Sequence, residues 1–449
     1  MFIKSYALIL IAFASAFFPR MLSEVGFPSL INFAHLILVP VFCVFIVIQT
    51  RTRVRVYAVL ELLAGLMIML AVVVSSALVN KAGFINVVLD YLLRTEWFIF
   101  LLMLISMNLS EKSLQKFRSA ILAFTLFNLI LSFVQKFILR WGEGAAAPGD
   151  FITGVFVGQG AGSDVASAVS VVLAAYYFFN VKKSPLWMRI ALIVAAIIHL
   201  FITDSKSSFI IYLLAFFLLT ISKLKLSVKT LVTIFQYLFA IGLFVGVLYW
   251  AAHTVAPGLL TFSRDDQIQD GIDLKTSVFT IIPSFYKSSL NWLFGLGPGH
   301  TIGRLGAWML RDYAALLDPL GATRHPASQA TWDAYWASWI GPRSRLWSPF
   351  FGWAGIWGDW GLLGIASYIY ILWIIWRRFC VDDASKFTLL SVPIFGLIFT
   401  QMEEPGYVIP VAAFIGLRWQ EEQISKRMNH RLCNLQANTV HPHPKAPLS

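Results

Sequence analysis

The chain has 449 residues, 58% of them hydrophobic and 15% aromatic, with only 13% charged and a mean hydropathy of +0.73. Soluble domains carry roughly 25% charged residues, so a water-covered fold of this length is excluded and lipid must cover most of the surface. The net charge of +12 would point to nucleic acid in a soluble protein, but here the placement of the charges accounts for it as membrane topology.

Apolar runs of spanning length recur along the chain at about 4–19, 30–50, 56–79, 87–109, 119–139, 165–180, 187–203, 207–222, 230–252, 351–376, 387–402 and 406–419. They predict an all-α, polytopic bundle of about twelve spans: 1–252 holds the first nine, 253–350 is one large loop, 351–419 holds the last three and 420–449 is a tail. Gly and Pro punctuate the breaks without strand-like alternation, which excludes a β-barrel. No internal repeat of the kind found in many secondary transporters is visible.

Orientation follows from the Lys and Arg content of alternate loops. Lys4, then Arg51, Arg53 and Arg55, then Lys112, Lys116 and Arg118 fall on one side. Lys182, Lys183 and Arg189, then Lys223, Lys225 and Lys229, then Arg377, Arg378 and Lys386 continue it. The intervening short loops hold only Arg20, Lys81, Arg140 and Lys206. Both termini are therefore expected in the cytoplasm, and 253–350 outside it. Lys4 with Ala12, Ala14 and Ala16 would also fit a cleaved leader, but Phe17 and Phe18 continue the apolar run and favour a retained helix.

The three cysteines (Cys43, Cys380 and Cys433) lie outside the long loop and form no CxxC or Cys/His cluster, so neither a disulfide framework nor a metal site is expected. No P-loop or nucleotide fingerprint occurs, and no cofactor is expected. The loop is rich in tryptophan: Trp292, Trp308, Trp332, Trp336, Trp339 and Trp347. Such a segment should fold onto the mouth of the bundle, with short helices joined by Pro and Gly over 318–347. From 420 the tail is polar; 420–431 suits a short surface helix and the remainder a disordered end.

Three stretches together resemble the O-antigen ligase and O-antigen polymerase superfamily of bacterial envelope enzymes. They are Gly154-Val-Phe-Val-Gly-Gln-Gly-Ala-Gly-Ser-Asp-Val-Ala, Thr203-Asp-Ser-Lys-Ser-Ser-Phe, and Leu293-Phe-Gly-Leu-Gly-Pro-Gly paired with Trp357-Gly-Asp-Trp-Gly-Leu-Leu-Gly. Their order around one large loop carries the likeness, over about 150–365. The resemblance implies transfer of a glycan from a polyprenyl-diphosphate carrier to an acceptor glycan or lipid, outside the bacterial cytoplasmic membrane. Membrane lipid and envelope polysaccharide-assembly proteins would be its further partners, and nucleic acid would not. Two departures stand out. Lys206 replaces the family's Arg and loses its two-pronged grip on phosphate. Phe350 occupies the place, nine residues before Asp359, where the family often carries His-Asn.

This chemistry needs cations for the diphosphate and benefits from a base for the acceptor hydroxyl. Arg94 lies inside a span, which is costly and so a functional-site hypothesis, with Asp90 one turn away for an ion pair. Lys206, among Ser205, Ser207 and Ser208 at a helix start, suits a phosphate cradle or a plain helix cap. Arg343 and Arg345 suit a diphosphate clamp or an interfacial anchor of the loop. Arg264 and Lys275, beside Asp265, Asp266, Asp270 and Asp273, read as a solvated face. His300 and His325 are the candidate catalytic bases, whereas His35 and His199 read as hydrogen-bonded core. Two other classes stay open: a carrier that moves an anionic glycolipid without covalent chemistry, and a non-catalytic assembly partner.

Overall fold

The computed structural model describes residues 5–50, 53–145, 147–158, 161–223 and 265–440, with Gly242 and Gly246 between the last two blocks. The expected ninth span (230–252), the start of the long loop with Arg264, and the end of the tail lie outside the described residues. Every regular element among the described residues is helical. The principal helices are α1 (Ser5–Phe17), α2 (Ala34–Ile48), α3 (Arg53–Asn80), α4 (Phe84–Ser106), α5 (Glu111–Phe133), α6 (Gly162–Asn180), α7 (Leu186–Ile202) and α8 (Lys206–Ile221). After them come α9 (Asp265–Thr276), α10 (Val278–Ser284), α11 (Pro326–Ala337), α12 (Gly352–Arg378), α13 (Asp383–Phe395) and α14 (Pro405–Val440).

Among the described residues, five helical stretches are long and apolar enough to cross a bilayer: Ser29–Ile48, Arg55–Asn80, Glu111–Ile138, Gly162–Asn180 and Arg345–Arg378. Their outward faces are apolar as well. On α2, Leu36, Val39, Cys43 and Ile46 are buried, whereas Ile37, Val41, Val44 and Ile48 stand exposed at helical spacing. A continuous exposed apolar stripe of this kind needs lipid to cover it. The molecule is a membrane protein.

The central helix is α4, which is not among those five because it carries Asp90, Arg94 and Glu96. Every residue from Leu93 to Ser106 is buried, and α2, α3 and α14 pack around it. A helix enclosed on all sides has no lipid-facing stripe to keep apolar, so it can hold charges that find partners within the bundle.

Two features differ from the sequence-based expectation. Residues Pro405–Val440 form one continuous helix, so the predicted last span and the predicted surface helix are a single element. And α12 is broken at Gly361, with φ 69° and ψ −161°, a region that essentially only glycine enters. The carbonyls just before the break are taken up by the long loop. Gly358 O accepts from the Leu296 N–H at 2.8 Å, and Asp359 O accepts from the Gly297 N–H at 3.1 Å and from Ser76 Oγ at 2.7 Å. The two glycine-containing stretches of the sequence are therefore one structural unit.

Candidate functional site

Arg94 is fully buried, and its charge is enclosed by carboxylates from three elements. Asp90 Oδ1 lies 3.2 Å from Nη2, one turn along α4. Asp359 Oδ2 of α12 lies 2.5 Å from Nη2, and Glu403 Oε1 of the turn between α13 and α14 lies 3.2 Å from Nε. The Trp360 ring stacks on the guanidinium at 4.6 Å, and its Nε1–H donates to Asp90 Oδ2. Outer contacts complete the layer. Asp359 Oδ1 accepts from the Thr301 N–H and hydroxyl, and Glu403 Oε2 accepts from the Arg304 N–H. These contacts pair the Arg94 charge within the protein, a structural alternative to the diphosphate role expected of it. Its work is to bind α4, α12, the loop and the α13–α14 turn together.

Beside this layer lies a cavity of about 480 Å³. Arg20, Arg304 and Arg345 all line it. Arg304 is nearly buried, with Nη1 at 2.7 Å from Glu404 Oε2 and donating to the carbonyl of Glu403. Arg345 bridges Asp150 at 2.9 Å and Asp164 at 3.2 Å. Arg20 makes no ion pair among the described residues. Phe33, Trp308, Tyr313 and Trp332 form the aromatic wall. A mostly apolar concavity with a few convergent charges has the character of a ligand site.

His35 also lines the cavity. Its Nδ1 lies 2.8 Å from both carboxylate oxygens of Glu96, which is itself buried in α4. A carboxylate only accepts, so Nδ1 carries the proton and donates, which leaves the lone pair on Nε2. The described residues offer Nε2 no hydrogen-bond partner. A histidine oriented by a carboxylate with its second nitrogen open is the arrangement of a general base.

The other expected site residues lie elsewhere. His300 is buried, with Nδ1 donating to the Leu296 carbonyl and Nε2 accepting from Thr323 Oγ1, both at 2.8 Å. His325 stacks on it at 5.6 Å and caps α11 by accepting the Ala327 N–H at Nδ1. Burial pushes the His300 pKa down and the His325 pKa down to about 4. Neither histidine lines the cavity; both are hydrogen-bonded within the loop. Lys206 opens α8 and pairs with Asp204 at 3.0 Å, outside the cavity lining. Arg343 is exposed and lies over the Trp339 ring at 5.7 Å, away from Arg345's site. Lys275 is not on a solvated face: its Nζ donates to the carbonyls of Leu346 and Ile398, and burial pushes its pKa down to about 8. Of the four expected diphosphate cations, only Arg345 reaches the cavity.

No family model and no curated protein matches the chain. Sequence reasoning missed Arg20, Arg304 and the His35–Glu96 pair. The last was open to discovery, since an ionisable residue within an apolar run is by default a functional hypothesis, and both partners are of that kind.

Proposed function

We propose that the chain is a membrane glycan transferase, related to the O-antigen ligase and polymerase superfamily, that works on a polyprenyl-diphosphate-linked glycan outside the bacterial cytoplasmic membrane. One observation carries the reading: three arginines and a histidine held by a carboxylate line one cavity. Arginines suit a diphosphate because the guanidinium fork grips two oxygens at once. Charges aimed at the leaving group lower the barrier where negative charge develops. His35 Nε2 takes the proton of the acceptor hydroxyl as its oxygen attacks the anomeric carbon. The bond from that carbon to the diphosphate oxygen breaks, and polyprenyl diphosphate leaves with the electron pair. Glu96 holds the imidazolium until the proton is released.

The twelve-span topology expected from the sequence, with both termini in the cytoplasm, is compatible with the same reading. In it, Arg20, Asn32, Leu93, Gly158, the 304–345 segment and 400–404 all belong to span ends or loops on the outer side, and all of them meet at the cavity. The break in α12 is the one feature that favours a carrier, because moving helices are often interrupted. Against this, the carbonyls before the break are already bonded to Leu296, Gly297 and Ser76, so the break is part of how the loop packs on the helix.

The test is release of polyprenyl diphosphate by purified protein in detergent, given a lipid-diphosphate-linked glycan and an acceptor glycan. The parent chain should form product, and Arg304→Gln and Arg345→Gln should lose most of it. A parent chain that forms no product but moves the glycolipid intact across a vesicle membrane would be a carrier.

A further inference from the structure

Gln401 begins the short turn between α13 and α14, lines the cavity, and is only 3% exposed. Neither its Oε1 nor its Nε2 has a hydrogen-bond partner among the described residues. Asn32, on the same cavity, donates from Nδ2 to Ser23 Oγ at 3.3 Å, while its buried Oδ1 accepts nothing. Each such atom costs stability, and native proteins keep few of them. Two residues on, Glu403 ties the turn to Arg94 and to the Arg304 N–H.

We infer that Gln401 and Asn32 form a sugar-binding subsite, which takes the hydroxyl or acetamido groups of the donor's ring while the arginines take its diphosphate. The inference rests on the donor-site reading of the cavity and names the part of the ligand that the arginines cannot recognise. The inventory of donors and acceptors decides it. Gln401 Oε1 and Asn32 Oδ1 need donors, and Gln401 Nε2 needs an acceptor. Turning the Gln401 amide over exchanges its two atoms and leaves the same demand. A diphosphate only accepts, and a prenyl chain does neither. A sugar ring donates and accepts from neighbouring positions, as does an acetamido group. The ring would lie against the aromatic wall that includes Trp308 and Tyr313.

The experiment measures binding of two probes to the full-length protein in nanodiscs: polyprenyl diphosphate, and the same lipid carrying one N-acetylhexosamine. The parent should bind the sugar-bearing lipid about tenfold more tightly. Gln401→Met, close in shape and without the amide, should bind the two probes equally, with affinity for the sugar-free lipid unchanged. Its melting temperature should be equal to the parent's or higher, because an unpartnered buried amide has been removed. Asn32→Ala should narrow the difference in the same direction. Equal binding of both probes by the parent overturns the subsite and leaves the arginine reading standing. So does discrimination that survives in Gln401→Met. A Gln401→Met protein that fails to fold, or that loses both probes together, makes Gln401 structural and also overturns it. Discrimination by a parent that transfers no glycan overturns the transferase and leaves the subsite.

Discussion

Arg94 of α4 and Asp359 of α12 form a fully buried ion pair, with Nη2 2.5 Å from Oδ2, between residues 265 positions apart. Removing one partner of such a pair leaves an uncompensated charge in a low dielectric, at a cost of about 3–5 kcal/mol. Arg94→Ala should therefore fail to accumulate or melt far below the parent, and Arg94→Lys should recover part of the loss. The check is yield and thermal unfolding in detergent. An Arg94→Ala protein of normal yield and melting temperature that has lost glycolipid binding would return Arg94 to the ligand site.

The break in α12 gives a second prediction. A Cβ on Gly361 would come within 2.4 Å of the Leu293 backbone, and one on Gly295 within 2.5 Å of Gly358 O. Both glycines have positive φ. Gly361→Ala and Gly295→Ala should each destabilise by more than the roughly 1–3 kcal/mol of backbone strain alone, since the loop must also be pushed off the helix. Limited proteolysis should then cut within 293–299 in the variants and not in the parent.

How much of this was legible in the chain varies with distance along it. The apolar runs showed the helical class and the membrane, and Asp90 and Arg94 could be paired because one helical turn separates them. The two glycine stretches could be matched in order, but not joined, because a hydrogen bond between Leu296 and Gly358 leaves no local trace. The partners of Arg94 in α12 and in the α13–α14 turn were invisible for the same reason. His35 and Glu96, 61 residues apart, each looked like an isolated polar residue in an apolar run. Only packing α2 on α4 makes them a pair.

Acid should loosen the loop. The folded pKa of His325 is depressed to about 4 by burial, with His300 beside it, against roughly 6.5 in the unfolded chain. The neutral ring is the one that fits, so its contribution is full above about pH 6.5 and is lost as pH falls towards 4. His325→Asn removes the titration and keeps a side-chain acceptor for the start of α11. Hydrogen exchange over 326–337 should rise between pH 6.5 and 4 in the parent and rise less in the variant. An identical rise in both would show that His325 is not the sensor.

Among the loop cations, position in the cavity should decide the ranking. Arg345→Ala should lower glycan transfer much more than Arg343→Ala, since only Arg345 lines the cavity. Lys206→Ala, outside the lining, should fall between them or match Arg343→Ala. Equal losses for Arg343 and Arg345 at matched expression would move the diphosphate to the outer face of the loop.

The most direct test of the central claim separates binding from chemistry at His35. General-base help is typically worth 10²–10⁴-fold, and Gln fills a similar volume without accepting a proton. In His35→Gln protein, affinity for the lipid-diphosphate-linked glycan should stay within about threefold of the parent's, while its rate of transfer to acceptor falls by about 100-fold or more. Added imidazole should restore part of the rate in His35→Ala. Undiminished transfer by His35→Gln, at parental expression and melting temperature, would contradict the account.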